Sequence, residues 1–187
     1  MPPRSTREAA SRSRLQTGGS GSGRMHSTST KVHVSESALD RIREAATLSH
    51  PFETGGILVG VHASQHPWVT HVVEVRAVER GHTAYRLPAG VTRRTVRQLR
   101  DLDPRLGYLG DWHSHPMDVP ASTTDRLTTV TTAVRTMQPT LLLIARRVED
   151  KYAIDLHMAR GVKLRPCDII PAGDLPTPST ESEHTHG

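Results

Sequence analysis

The sequence predicts a single α/β domain, a mixed sheet flanked by about three helices. Three observations lead there. Short apolar or alternating runs recur through the middle of the chain, as strands do. Between them lie three segments whose apolar residues fall at helical spacing. A length of 187 residues accommodates one full hydrophobic core but not two ordinary ones.

The elements follow in order. Lys31–Val34 reads as a short strand. Ser35 is placed to cap a helix carrying Leu39, Ile42 and Ala46 on one face, and Pro51 marks its end. Gly55–Gly60 contains the apolar run Ile57-Leu58-Val59, a buried strand. Val69–Val78 alternates as a strand, and Ala84–Leu87 is a short one. Val91–Leu102 reads as a helix with Val96, Leu99 and Leu102 on one side. Tyr108–His115 is a strand. Thr123–Met137 reads as a helix with Leu127, Val130, Val134 and Met137 at helical spacing, although its threonines are poor helix formers. Thr140–Ala145 and Tyr152–Met158 are the last strands, paired across a turn at Glu149-Asp150.

Composition sets the limits of this domain. Hydrophobic residues make up 35% of the chain and aromatics 3%, too few for every residue to join a packed core. Residues 1–30, rich in Ser, Gly, Thr and Arg, read as a flexible tail, and residues 171–187, with Pro171, Pro176 and Pro178, as a second. The folded unit is then about 31–170. The net charge of +5 is unevenly spread. The first tail carries Arg4, Arg7, Arg12, Arg14 and Arg24 against Glu8, while Asp168, Asp174, Glu181 and Glu183 make the far end acidic. A basic middle attracts phosphates or acidic protein surfaces, but such a balance is ordinarily a solvated surface.

Cys167 is the single cysteine. An intramolecular disulfide is excluded, which fits a cytoplasmic protein, and any metal must be held by His and carboxylates. No apolar run reaches the length of a membrane span, and the N-terminus has no apolar signal-type stretch.

One segment carries chemistry: Asp111-Trp112-His113-Ser114-His115-Pro116. On a strand, residues two apart share a face, so His113 and His115 can reach one ion. Pro116 stops the strand. Asp125 follows near the start of the next helix, and two His with one carboxylate make the three protein ligands of an open catalytic zinc site. A His-x-His pair alone is weak, since His184 and His186 repeat it in the terminal tail. Ser122-Thr123-Thr124-Asp125 also reads as a capping box, and capping and ligation are compatible. Glu53, opening the buried strand, is a solvated loop residue by itself. Beside a three-ligand metal it becomes a candidate general base and acid.

Together these residues resemble the JAMM (MPN-plus, or Mov34/JAB) metallopeptidase family. The likeness rests on Glu53 ahead of Gly55-Gly56-Ile57-Leu58-Val59-Gly60, then His113-Ser114-His115-Pro116, then Ser122-Thr123-Thr124-Asp125, and spans about residues 31–160. It implies a JAB1/MPN-like fold similar to that of cytidine deaminases. It implies Zn2+ on His113, His115 and Asp125, Glu53 as general base and acid, and Ser122 as hydrogen-bond donor to the oxyanion. It further implies hydrolysis of an isopeptide or peptide bond, with a protein or peptide substrate such as a ubiquitin-like or sulfur-carrier protein. The spacing from His115 to Asp125 is one residue short of the family's usual length, and the shortening falls within Met117–Ala121. Asp118, the other acid nearby, lies in that loop and is a poor ligand. The short stretch before Thr140 leaves no room for the insertions of deubiquitinating members, so the chain resembles a minimal prokaryotic member. Two rival readings are a non-catalytic binding scaffold and a RadC-like nucleic-acid-associated protein. The complete ligand set argues against the first, and the lack of a helix-turn-helix or RNA-binding signature against the second.

Overall fold

The computed structural model describes residues 29–62, 66–75 and 90–176. Its elements run β1 (Thr30–Ser35), α1 (Glu36–Ser49), β2 (Gly55–Val61), β3 (Trp68–Glu74), α2 (Val91–Leu102), β4 (Leu106–His115), α3 (Thr123–Thr136), β5 (Thr140–Val148), β6 (Lys151–Arg160) and β7 (Lys163–Ala172). The strand expected at Ala84–Leu87, the end of that expected at Val69–Val78, and most of both tails lie outside the described residues.

The mixed α/β character and, among the described residues, the three helices match expectation, but the sheet is not an open layer. Its strands follow the order β1-β3-β2-β4-β5-β6-β7 and close into a barrel through parallel pairing of β1 with β7. The closing strand β7 is absent from the sequence reading, which ended at Tyr152–Met158. Its sequence, KLRPCDIIPA, has no period-two alternation and contains two prolines, so it carries almost no strand signal.

Alternation along the central strands divides the apolar residues between two faces. Leu58, Leu109, Trp112, Leu141 and Leu143 form the main core with Val32, Val34 and the α1 residues Leu39, Ile42 and Ala46. The α1 face is the one its spacing predicts, and Ser35 caps the helix by accepting from the Ala38 N–H. On the opposite face, Ile57, Val59 and Leu106 meet Val96 and Leu99 of α2 and Leu175. Leu142 and Ile144 pack with Ala121 there too, and α3 crosses that face against β5 and β6. Each fully buried Leu or Ile contributes about 1.5–3 kcal/mol by leaving water. Gly110 of β4 lets the backbones crowd together: a Cβ there would lie 2.0 Å from the Leu141 carbonyl oxygen.

Two helix faces differ from expectation. On α2 the inward stripe continues from Leu99 to the buried C-cap Asp103, leaving Leu102 79% exposed. On α3 the buried residues are Thr129 and Ala133, one turn apart and in line with Asp125. Of the stripe that apolarity marks, Leu127 and Met137 are 64% and 88% exposed and Val134 is exposed too, while Val130 is half-buried.

Candidate metal centre

Strand β4 supplies the first two groups. Trp112 points into the main core and Ser114 is fully buried. Alternation therefore sends Asp111, His113 and His115 to the opposite face, where α3 begins. Both imidazoles are buried, with the two Nε2 atoms 3.1 Å apart.

The third group arrives through the capping box. The Ser122 hydroxyl accepts from the Asp125 N–H at 3.2 Å, and the Ser122 N–H donates to Asp125 Oδ2 at 2.7 Å. The same carboxylate lies with Oδ1 3.5 Å from His113 Nε2 and Oδ2 3.8 Å from His115 Nε2. The cap thus aims Asp125 at the histidines, a geometry compatible with a ligand role for the same carboxylate. Burial opposes ionisation of Asp125. The hydrogen bond and charge of His113, with the Ser122 bonds, outweigh it and hold the carboxyl well below the usual carboxylate range.

The donor set fits a small divalent metal. One donor atom from each of His113, His115 and Asp125 lies within 4.8 Å of the others. Tetrahedral ligands about 2.0–2.1 Å from a metal stand roughly 3.3 Å from one another, close to the spacings here. His115 is prepared for ligation: its Nδ1–H donates to the Val119 carbonyl at 2.8 Å, leaving Nε2 as the lone-pair donor. Burial, opposed by that bond, lowers the His115 pKa and favours the neutral ring. Asp118 takes no part, because its carboxylate pairs with Arg146.

Glu53 precedes β2, whose Gly55 stands opposite His113 in the ladder. It is half-buried, and burial raises its pKa; the His113 charge opposes this and the Asp125 charge adds to it, so Glu53 feels both ligand groups. Ser114 sets this approach. Its hydroxyl accepts from the Thr54 N–H at 3.0 Å, and its own N–H donates to the Thr54 carbonyl at 2.7 Å. Ser114→Ala should leave a buried N–H without its partner, costing about 1–3 kcal/mol by urea denaturation and loosening Glu53 beside the centre.

The sequence assigns no role to two groups on this face. Asp111 continues the series of His113 and His115, and a carboxylate inside an apolar strand was the available signal. Burial pushes its carboxyl up to about 6, with the Tyr108 hydroxyl and the His113 ring pulling the other way. Arg146 gave no signal, since it stands beside His115 only through the parallel β4–β5 pairing.

Two histidines at the end of a barrel strand, the carboxylate of Asp125 from the start of α3 and the adjoining Glu53 form a candidate metal centre in this α/β fold. Residues 35–157 match the family described as prokaryotic homologs of the JAB domain, and the chain belongs to that family. It is similar to a protein named CD-NTase/cGAS isopeptidase from Escherichia coli (strain TW11681), at 28% identity over 102 residues. The match covers 51% of this chain and 62% of that relative. The fold is like that of protein DSY2949 from Desulfitobacterium hafniense, known from a solution structure. The TM-score is 0.57 at 18% identity, covering 83% of this chain and 99% of the other. Among the described residues no helix is long and apolar enough to cross a membrane.

Proposed function

We propose that this chain is a zinc-dependent metallopeptidase of isopeptidase type. Its expected substrate is an amide joining the C-terminus of a ubiquitin-like or sulfur-carrier protein to an amine. The observation that carries this reading is the convergence of His113, His115 and Asp125 donors beside Glu53. The JAB-domain family and a relative named as an isopeptidase support hydrolysis of a protein substrate. A complete set of ligand types weighs against a purely non-catalytic scaffold. The expected location is the cytoplasm.

His113, His115 and Asp125 would hold the ion. Bound zinc supplies Lewis acidity, favouring ionisation of the attacking water and polarising the scissile carbonyl. Glu53 takes a proton from that water as its oxygen bonds to the carbonyl carbon. The Ser122 hydroxyl accepts the Asp125 N–H, so its own proton stays available to the developing oxyanion. The carbon–nitrogen bond then breaks, and Glu53 returns the proton to the departing amine. The products are a free carboxylate and a free amine.

The test is cleavage of a carrier protein joined through its C-terminal glycine to a lysine ε-amine. Mass spectrometry should find the intact carrier and unmodified lysine, with turnover lost to a chelator and regained with zinc. Cleavage elsewhere in the substrate, or turnover indifferent to the chelator, would refute the proposal.

A further inference from the structure

The loop from Pro116 to Ala121 joins the second histidine to the capping box, and it is the short segment of the motif. Its surface is open: Met117 is 65% and Val119 40% exposed, so packing alone does not fix it. Yet its Val119 carbonyl receives the His115 Nδ1–H, the bond that turns Nε2 toward the other donors. Arg146 holds the loop. It stands opposite His115 in the parallel β4–β5 ladder, on the same face. Its Nε donates to Asp155 Oδ2 on β6 at 2.7 Å, and its Nη1 donates to Asp118, the residue before Val119. A guanidinium is suited to this, because its planar fork offers donors in two directions and keeps its charge.

We propose that Arg146 is a positioning residue for the metal centre, clamping Asp118 against Asp155 so that the Val119 carbonyl orients His115. This rests on the metallopeptidase reading above. The chain of contacts runs from β6 through Asp155, Arg146 and Asp118 to the Val119 carbonyl and the His115 ring. Arg146 is not one of the three grouped donors, and its hydrogen bonds go to Asp118 and Asp155. It limits how far the loop drifts, and so how often His115 Nε2 faces His113 and Asp125.

The experiment measures zinc affinity of the full chain by competition with a chromophoric chelator. All proteins carry His184→Ala and His186→Ala, which removes the second His-x-His pair. Arg146→Ala should weaken zinc about 10–100-fold, the usual effect of losing a group that orients a ligand. Asp118→Ala, which removes the acceptor altogether, should weaken it comparably, and the double variant should be no worse than the stronger single, because both act through one contact. Arg146→Lys should recover part of the affinity. Arg147→Ala, whose partners Glu149 and Asp150 lie in the β5–β6 turn, should leave affinity unchanged. The cobalt-substituted protein should show an altered visible spectrum in Arg146→Ala, which a general loss of stability would not produce. If Arg146→Ala fails to fold, Asp118→Ala decides, since it changes only an exposed loop residue. Unchanged affinity in Arg146→Ala and Asp118→Ala, with zinc bound normally by the parent, overturns this inference alone. A parent that binds no zinc overturns the metallopeptidase reading instead.

Discussion

Glu53→Gln should lower kcat by about 10²–10⁴-fold while leaving bound zinc at the parental level, because it removes the proton acceptor and none of the metal donors. The same substitution should stabilise the metal-free protein at neutral pH. Burial raises the Glu53 pKa in the folded state above its ordinary value. A raised carboxyl pKa favours folding below the unfolded value and becomes a cost as pH climbs through the folded one. The metal-free Glu53→Gln protein should therefore melt above the parent at pH 7, and the gap should close at pH 4 and below. A structural carboxylate would lose stability when neutralised, so a lower melting temperature at pH 7 would tell against the base.

Asp125 carries the second large effect, and its two roles separate by choice of substitution. Asp125→Ala removes a metal donor and half the capping box. It should abolish stoichiometric zinc and lower stability by about 0.5–2 kcal/mol, as lost caps do. Asp125→Asn keeps an oxygen for the Ser122 N–H and should retain most of the cap. It removes the negative charge, so zinc affinity should still fall steeply. Calorimetric zinc titration beside urea denaturation distinguishes the two. Equal loss of stability in both variants would mean that the cap does not depend on the side-chain oxygen.

The grouping of the candidate site's side chains was more legible in the sequence than the closure of the sheet. The His113 and His115 spacing, the Ser122–Asp125 cap and Glu53 ahead of an apolar strand are local patterns, and local patterns survive without knowledge of the sheet. What was missed depends on neighbours distant in sequence. Arg146 meets Asp118 only because β4 and β5 run parallel. The buried Ser114 hydroxyl holds Thr54, sixty positions away. β7 closes the barrel by pairing with β1 and β6, which supply the order that its own sequence lacks. The face of α3 was misjudged for a related reason. Leu127, Val134 and Met137 form its apolar side, but Asp125, Thr129 and Ala133 follow one another at four-residue spacing toward the sheet. Thr129 also satisfies its hydroxyl by donating to the Asp125 carbonyl.

The most direct measurement is a zinc titration of the chelator-stripped chain carrying His184→Ala and His186→Ala, following bound metal and isopeptide cleavage in the same samples. The two should rise together and level off at about one zinc per chain, the capacity of one three-ligand site. Cleavage at full rate before zinc is added, or one tightly bound zinc with no hydrolysis of any carrier–lysine conjugate, would contradict the assignment of His113, His115, Asp125 and Glu53 to a metallopeptidase centre.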